Sequence, residues 1–460
     1  MAGVDSCIFR EYDVRGRVEE QINPPTASLI GKAFGTYLRQ RGGRTVIVGR
    51  DNRLSSDALA TSLINGLLAT GARVLDIGLV VTPIFYYAGI LYAADGGVMV
   101  TGSHNPPDEN GFKIVFHSGN LCGAELQELY RLITSEAFLH GPGTMEKRDP
   151  VPAYLAMIRE KIKLGPRQLQ VVVDAGNGAA SFCAPSLLTS LGCRVIPLYC
   201  DADGTFPHHF PDPVIPGNLQ DLIQVVRNSK ADLGIAFDGD ADRLGVVDAN
   251  GRIIWADLLM ILFWREILPR HPGAEVIVEV KCSQALIDEV TRLGGRPVFY
   301  RTGHSLIKKR MQATGAVFSG EMSGHLFFAD EYFGYDDALY ACARLLRILS
   351  HTSQSLSALL AGIPRYYATP ETRVPCPDQA KFQVVEAIKA RFAKRYPVIT
   401  VDGARIIFPA GWGLVRASNT QPALVLRCEA RTRAGMEKIK QELGTQLAAF
   451  SAVAPVRWDD

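Results

Sequence analysis

One serine and three aspartates carry the chemistry that is most legible in this 460-residue chain. Ser103 lies in Thr101-Gly102-Ser103-His104-Asn105-Pro106, directly after the apolar run Gly97-Val98-Met99-Val100. The run reads as a buried strand. It stops at Gly102, and Asn105-Pro106-Pro107-Asp108 prevents immediate regular structure. A hydroxyl held at the mouth of a sheet, between a glycine and an imidazole, suits a nucleophile, a phosphate carrier or a turn residue. Asp238-Gly239-Asp240-Ala241-Asp242-Arg243 closes a second apolar strand, Gly234 to Phe237. Alternate carboxylates repel one another when ionised, and Arg243 alone cannot neutralise them. A divalent cation can, and hard carboxylate oxygens suit magnesium. An EF-hand is excluded, because Arg243 and Ala249 stand where that loop requires Gly and Glu. The plainer reading, a solvated acidic turn, fits poorly with the apolar strands on both sides.

Two further loops are polar and flanked by apolar segments. In Gly320-Glu321-Met322-Ser323-Gly324-His325, the Glu and Ser side chains can hydrogen bond to vicinal sugar hydroxyls. In Arg416-Ala417-Ser418-Asn419-Thr420-Gln421-Pro422, a guanidinium, two hydroxyls, an amide and backbone N–H groups make an oxyanion cradle. That loop has no P-loop spacing, so it does not imply nucleotide binding. Either loop alone is ordinary turn composition. Arg10, Tyr12 and Arg15 cluster near the N-terminus, Lys281 ends a strand, and His304 begins a helix. Lys113 follows Ser103 at a distance that a hairpin return would close.

Strands must position these loops, and the pattern alternates them with helices. Strands are expected at Arg44 to Gly49 and Ala72 to Ile77, with a helix at Ser56 to Ala69 between them. The alternation returns with strands at Leu169 to Asp174, Arg194 to Tyr199 and Leu233 to Phe237. There, helices are expected from Ala179 and over Leu219 to Asn228. It returns again with strands at Ala274 to Val280 and Arg296 to Tyr300 around a helix at Ser283 to Leu293. Such alternation implies right-handed βαβ units and mainly parallel sheets. The C-terminal part differs. Helices at Asp378 to Tyr396 and Ala434 to Phe450 enclose a hairpin candidate at Val398 to Gly403 and strands at Trp412 to Ala417 and Ala423 to Ala430. That order reads as a smaller α+β domain.

Length and composition agree with a soluble globular protein of several domains. A chain of 460 residues is too long for one core. Its 49 basic and 47 acidic residues nearly cancel, which gives no general reason for nucleic-acid or membrane binding. The nine cysteines are scattered singly without a CxxC pair, as expected for reduced thiols in the cytoplasm. The N-terminal residues lack signal-peptide character, and no apolar stretch is long enough to span a membrane.

Taken together and in this order, the four loops resemble the α-D-phosphohexomutase superfamily. The bacterial phosphomannomutase/phosphoglucomutase group is the most similar, and the likeness spans nearly the whole chain. The resemblance implies an α/β protein of three similar mixed-sheet α/β domains and a smaller C-terminal α+β domain around a central cleft. The domains would be residues 1–146, 147–255, 256–368 and 369–460, each supplying one loop. It implies phosphoserine at Ser103, and Mg²⁺ held by Ser103, Asp238, Asp240 and Asp242. Arg15, Lys113 and His304 would lie near the reacting hydroxyl, and His104 and Arg243 are counted with this catalytic group. Glu321, Ser323 and His325 would face the sugar, with Tyr12 and Lys281 in support. Arg416, Ser418, Asn419 and Thr420 would grip the phosphate that is not transferred. The Glu-Met-Ser-Gly-His form of the sugar loop resembles enzymes that use both mannose and glucose phosphates. Ala241 stands where relatives often have glycine.

The activity implied interconverts hexose 1-phosphate and hexose 6-phosphate through a hexose 1,6-bisphosphate intermediate, which also acts as activator. The enzyme would be a cytoplasmic monomer whose partners are phosphosugars. Lys113 or His304 would serve as base. Three other readings compete: a phosphoglucosamine mutase, a phosphatase that forms phosphoserine and transfers to water, and a sugar-phosphate binding protein without catalysis.

Overall fold

The computed structural model describes residues 4–117, 119–418 and 421–458. Two compact units emerge, one of residues 1–256 and 323–359, the other of 257–322 and 360–460. Among the described residues no helix is long and apolar enough to cross a membrane.

The first unit contains two sheets. In the larger, the strand order is Val14–Arg17, Glu109–Phe116, Gly96–Val100, Thr45–Arg50, Arg73–Leu79 and Thr144–Lys147. Thr45–Arg50 runs parallel to both of its neighbours, as βαβ connections require. Helix Ser56–Ala69 occupies the bounds expected from its pattern. Helix Pro24–Gln40 starts at Asn23, whose side chain accepts from the Thr26 N–H at 3.0 Å, with prolines in the first turn where no N–H is needed. These helices bury Phe34, Leu38, Leu63 and Leu67 against Val46, Val48, Val74 and Val98 of the sheet.

The smaller sheet has the order Ile253–Ile254, Leu244–Asp248, Leu233–Phe237, Gln170–Asp174 and Arg194–Leu198. The sheets are mixed, as the resemblance implies, with antiparallel pairs beside the parallel ones. Gly96–Val100 pairs antiparallel with Glu109–Phe116, and Leu233–Phe237 antiparallel with Leu244–Asp248. A short loop can reverse a chain but cannot make a parallel crossover, and the serine and aspartate loops are those short connections. The helix expected from Ala179 also differs. Ala179–Phe182 is a 3-10 turn, and the α-helix is Ala184–Ser190, with Pro185 in its first turn.

In the second unit, Arg296–Tyr300 and Phe318–Gly320 both lie parallel to Glu275–Glu279. A separate antiparallel sheet joins Tyr367–Ala368, Ala423–Ala430, Gly411–Ala417, Ala404–Phe408 and Val398–Ile399, with Thr372–Pro375 also on Ala423–Ala430. Helices Asp378–Phe392 and Arg433–Leu447 cover it through Val384, Ile388, Ile439 and Leu443. This is the α+β arrangement expected of the C-terminal part.

Candidate active site

Ser103 is buried, and its backbone is left-handed, with φ of +49°. For an L-residue this costs about 1–2 kcal/mol, so bonds from outside must hold the loop. The Ser103 N–H donates to Thr101 Oγ1 at 2.8 Å, and the Gly102 N–H to Asp51 Oδ2 at 3.2 Å. In this pose the Ser103 hydroxyl donates to Asp238 Oδ2 at 2.8 Å. The second aspartate-loop position must be glycine, because a Cβ on Gly239 would sit 2.3 Å from the Ser103 carbonyl oxygen. The two hairpin loops therefore meet backbone to backbone.

Asp238, Asp240 and Asp242 are fully buried and lie close enough to share one ion. Asp238 Oδ1 accepts the Asp242 and Arg243 N–H groups at 3.0 Å each. Asp240 Oδ2 accepts from Thr82 Oγ1 at 2.5 Å and Lys113 Nζ at 2.6 Å, and Asp242 Oδ2 accepts from Lys113 at 2.5 Å. Oδ1 of Asp240 and Oδ1 of Asp242 are buried without a hydrogen-bond partner among the described residues. Burial pushes the Asp238 carboxyl well up, and Asp242 and Asp240 add to that. Burial also raises Asp242, but Lys113 and His325 outweigh it and hold that carboxyl below its usual range. Lys113 reaches the cluster by the hairpin return, since it pairs with Met99 across the strands. Burial disfavours its ammonium, yet Asp240 and Asp242 raise its pKa well above the usual value. Ala241, the departure from glycine, has φ of +59°, the conformation that glycine adopts without cost.

Arg243 and His325 lie beside this cluster, and other expected residues belong to the same unit. Arg15 pairs with Asp13 and reaches Asn105 Oδ1 of the serine loop at 3.4 Å. Tyr12 is buried just before strand Val14–Arg17, and Ser323 is half-buried. Arg243 Nε donates to His325 Nε2 at 3.0 Å, while His325 Nδ1 faces Asp336 at 3.1 Å and Asp242 at 3.5 Å. His325 orients Arg243, and with Asp242 and Asp336 it forms a second group whose ligand atoms lie close enough to share one ion.

Asp212 escaped the sequence reading. It sits 3.1 Å from His104 Nδ1 and 3.9 Å from Arg243 Nη1, so one carboxylate ties two expected catalytic residues together. The available signal was Pro211-Asp212-Pro213, a polar side chain on backbone stiffened from both sides. Burial raises the Asp212 carboxyl, but His104 and Arg243 bring it down to about 2. Burial and Arg243 lower His104 to about 4 from 6.5. Between those two values the unfolded chain binds a proton that the folded one refuses. Stability therefore rises with pH from about 4 to 6.5 and is flat above. Urea midpoints across that interval check this, and His104→Gln should flatten the slope. An unchanged slope in that variant would contradict it.

The second unit holds the other expected residues. Glu321 Oε1 accepts the Gly303 N–H at 2.6 Å, which fixes the sugar loop to the turn before His304. Lys281 Nζ donates to Glu371 at 2.8 Å and lies 3.9 Å from Glu279. Burial disfavours its charge, but Glu279 and Glu371 more than offset that. Arg416 Nε donates to Asp402 Oδ2 at 3.0 Å, and the same oxygen accepts the Thr302 N–H at 3.0 Å. Ser418 Oγ accepts the Gln421 N–H at 3.1 Å across the phosphate loop. Asn419 and Thr420 lie outside the described residues. Glu279, Glu371 and Asp402 were not singled out in the sequence, because isolated acidic residues carry no pattern.

A buried serine hydroxyl on a carboxylate cluster, with lysine, arginine and imidazole beside it, suits a phosphotransferase. Profiles for phosphoglucomutase/phosphomannomutase α/β/α domains I, II and III match residues 6–140, 152–251 and 255–367. The C-terminal domain of the same family matches 371–445. A Pseudomonas aeruginosa protein named phosphomannomutase/phosphoglucomutase is 47% identical over 451 residues, covering 98% of this chain and 97% of its own. A Neisseria meningitidis phosphoglucomutase is 44% identical, covering 96% and 97%. A crystal structure of a Burkholderia thailandensis phosphoglucomutase/phosphomannomutase family protein matches with TM-score 0.92 and 43% identity, over 97% and 98% of the chains. The chain belongs to the phosphoglucomutase/phosphomannomutase family.

Proposed function

We propose that this protein interconverts the 1-phosphates and 6-phosphates of mannose and glucose, with Ser103 as the phosphoryl carrier. The observation that carries this reading is the 2.8 Å hydrogen bond from the Ser103 hydroxyl to Asp238 within the buried aspartate cluster. In the cycle, phosphorylated Ser103 gives its phosphoryl group to the free hydroxyl of a bound hexose phosphate. The P–Oγ bond breaks, a P–O(sugar) bond forms, and the hydroxyl proton leaves to a base. The hexose 1,6-bisphosphate turns end for end, and Ser103 takes back the phosphoryl group from the other position. Lys113 is held as an ammonium by two carboxylates, so it acts as a cation. We assign the base to His304. It is the first residue of helix His304–Thr314, and its imidazole is the remaining candidate once Lys113 is held as a cation.

The donor set fits Mg²⁺. Asp238, Asp240 and Asp242 supply hard oxygens, and Oδ1 of Asp240 is a buried acceptor without a hydrogen bond that needs a positive partner. The ion would neutralise charge on the transferring phosphoryl oxygens and on the serine leaving group. Arg243, oriented by His325 and Asp212, adds fixed positive charge beside the same cluster. Glu321 and Ser323 would bind sugar hydroxyls, and Tyr12 and Lys281 would support them. We read the domains as 1–146, 147–255, 256–368 and 369–460, in a protein that works as a cytoplasmic monomer. The free state of its nine cysteines fits that compartment.

Arg416 and Ser418 would hold the phosphate that is not transferred. A phosphate presents the same oxygens from C1 or C6, so Arg416→Ala should raise KM for both isomers alike, by about 10–100-fold. A rise for one isomer only would contradict a shared phosphate site. The reading as a whole is tested by intact mass before and after excess glucose 1,6-bisphosphate. One phosphoryl group should be found on Ser103, with isomerised sugar phosphate as product. Absence of that mass under both conditions sinks it.

A further inference from the structure

We infer that Arg53, which contacts none of the reacting atoms, is the positioning residue that holds Ser103 in its transfer-competent pose. The inference rests on the phosphoserine reading above. Arg53 follows strand Thr45–Arg50, and its side chain is fully buried. Its Nη2 donates to the carbonyls of Ser103 at 2.8 Å and Asn105 at 2.6 Å. Its Nη1 donates to the carbonyls of Pro106 at 2.5 Å and Glu109 at 2.9 Å. One cation thus gathers three carbonyls of the serine loop and that of Glu109, the first residue of the returning strand.

The surroundings are shaped around that guanidinium. A Cβ on Gly102 would lie 2.5 Å from Arg53 Cζ, so the glycine next to the serine is what admits it. Phe206 presents its ring 5.1 Å from Cζ. Asp51 stands 3.3 Å from Nε, and its Oδ2 also takes the Gly102 N–H. Its Oδ1 takes the Arg53 N–H at 3.1 Å and the Ser56 hydroxyl at 2.5 Å.

The consequence for Ser103 is geometric. Its N–H is fixed by Thr101 Oγ1 and its carbonyl by Arg53, so both flanking peptide planes are set. With both planes set, the left-handed φ is held and the Cα–Cβ bond points Oγ at Asp238. Lysine cannot substitute, because an ammonium is a point donor and cannot span carbonyls that a rigid fork reaches in two directions.

The test compares the wild-type enzyme with Arg53→Lys and Arg53→Met. The readouts are the rate of phosphoryl uptake by Ser103 from glucose 1,6-bisphosphate, followed by intact mass, together with kcat, KM and the melting profile. Arg53→Lys should remain folded and load on the order of 100-fold more slowly, since a displacement of about 1 Å at a reacting atom costs that much. KM for hexose phosphate should stay within about twofold, because substrate-binding groups are untouched. If neither variant folds, Gly102→Ala pushes a methyl group into the guanidinium and should show the same loading defect. Wild-type loading by Arg53→Lys or Gly102→Ala overturns the inference. So does a rate loss that merely tracks the folded fraction. A wild-type enzyme that never loads would instead overturn the phosphoserine reading, and the inference with it.

Discussion

Ser103→Ala should yield a folded protein that takes up no phosphoryl mass and has lost on the order of 10⁴-fold or more of its mutase kcat. The nucleophile is irreplaceable here because Asp238, its hydrogen-bond partner, is a carboxylate in a cluster already crowded with negative charge. Burial and the neighbouring aspartates disfavour ionised Asp238, so it is a poor stand-in acceptor for a phosphoryl group. Removing the hydroxyl leaves the loop's other bonds in place, among them Ser103 N–H to Thr101 Oγ1 and the Arg53 fork. KM should therefore change little while kcat collapses. Intact mass and steady-state kinetics on the same preparation check this. Residual activity within tenfold of wild type would show that the serine is not the carrier.

Lys113→Met should destabilise the metal-free protein by about 3–5 kcal/mol, the usual cost of stranding buried charges without their partner. Lys113 bridges Asp240 and Asp242 at 2.6 and 2.5 Å, and all three side chains are buried. Without the ammonium, two carboxylates face each other in a site that water does not reach. Magnesium should recover much of the loss, because it binds the folded state and supplies the missing charge. The wild type should gain less from the ion, since its cluster already holds a cation. Urea midpoints with and without chelator measure both effects. Equal midpoints for variant and wild type in chelator would refute the role given to Lys113. Chelation should also abolish turnover in the wild type, reversibly on adding Mg²⁺.

How far the sequence reached depended on whether a feature is local. Helix Ser56–Ala69 and the strands Leu233–Phe237, Arg296–Tyr300 and Ala423–Ala430 have the bounds their patterns imply, because apolar periodicity and turn residues are read within one segment. The serine loop and the aspartate loop were legible for the same reason, since each is a short polar break after an apolar strand. The hairpin that returns Lys113 toward the serine loop could also be anticipated from spacing.

What remained hidden is contributed from a distance. Asp212 reaches His104 and Arg243 from a loop with no repeat or motif, and Arg53 reaches the serine loop from the end of another strand. Asp336 faces His325, and Asp402 anchors Arg416, for reasons no local window contains. The charge states were equally invisible. Lys113 looked like a candidate base, and only its placement between Asp240 and Asp242 makes it a fixed cation. By itself the sequence determined the family and marked the candidate nucleophile and cation ligands, because residue type and short spacing set both. The tertiary structure alone decided how each group is aimed and charged, because burial and partners far along the chain set both.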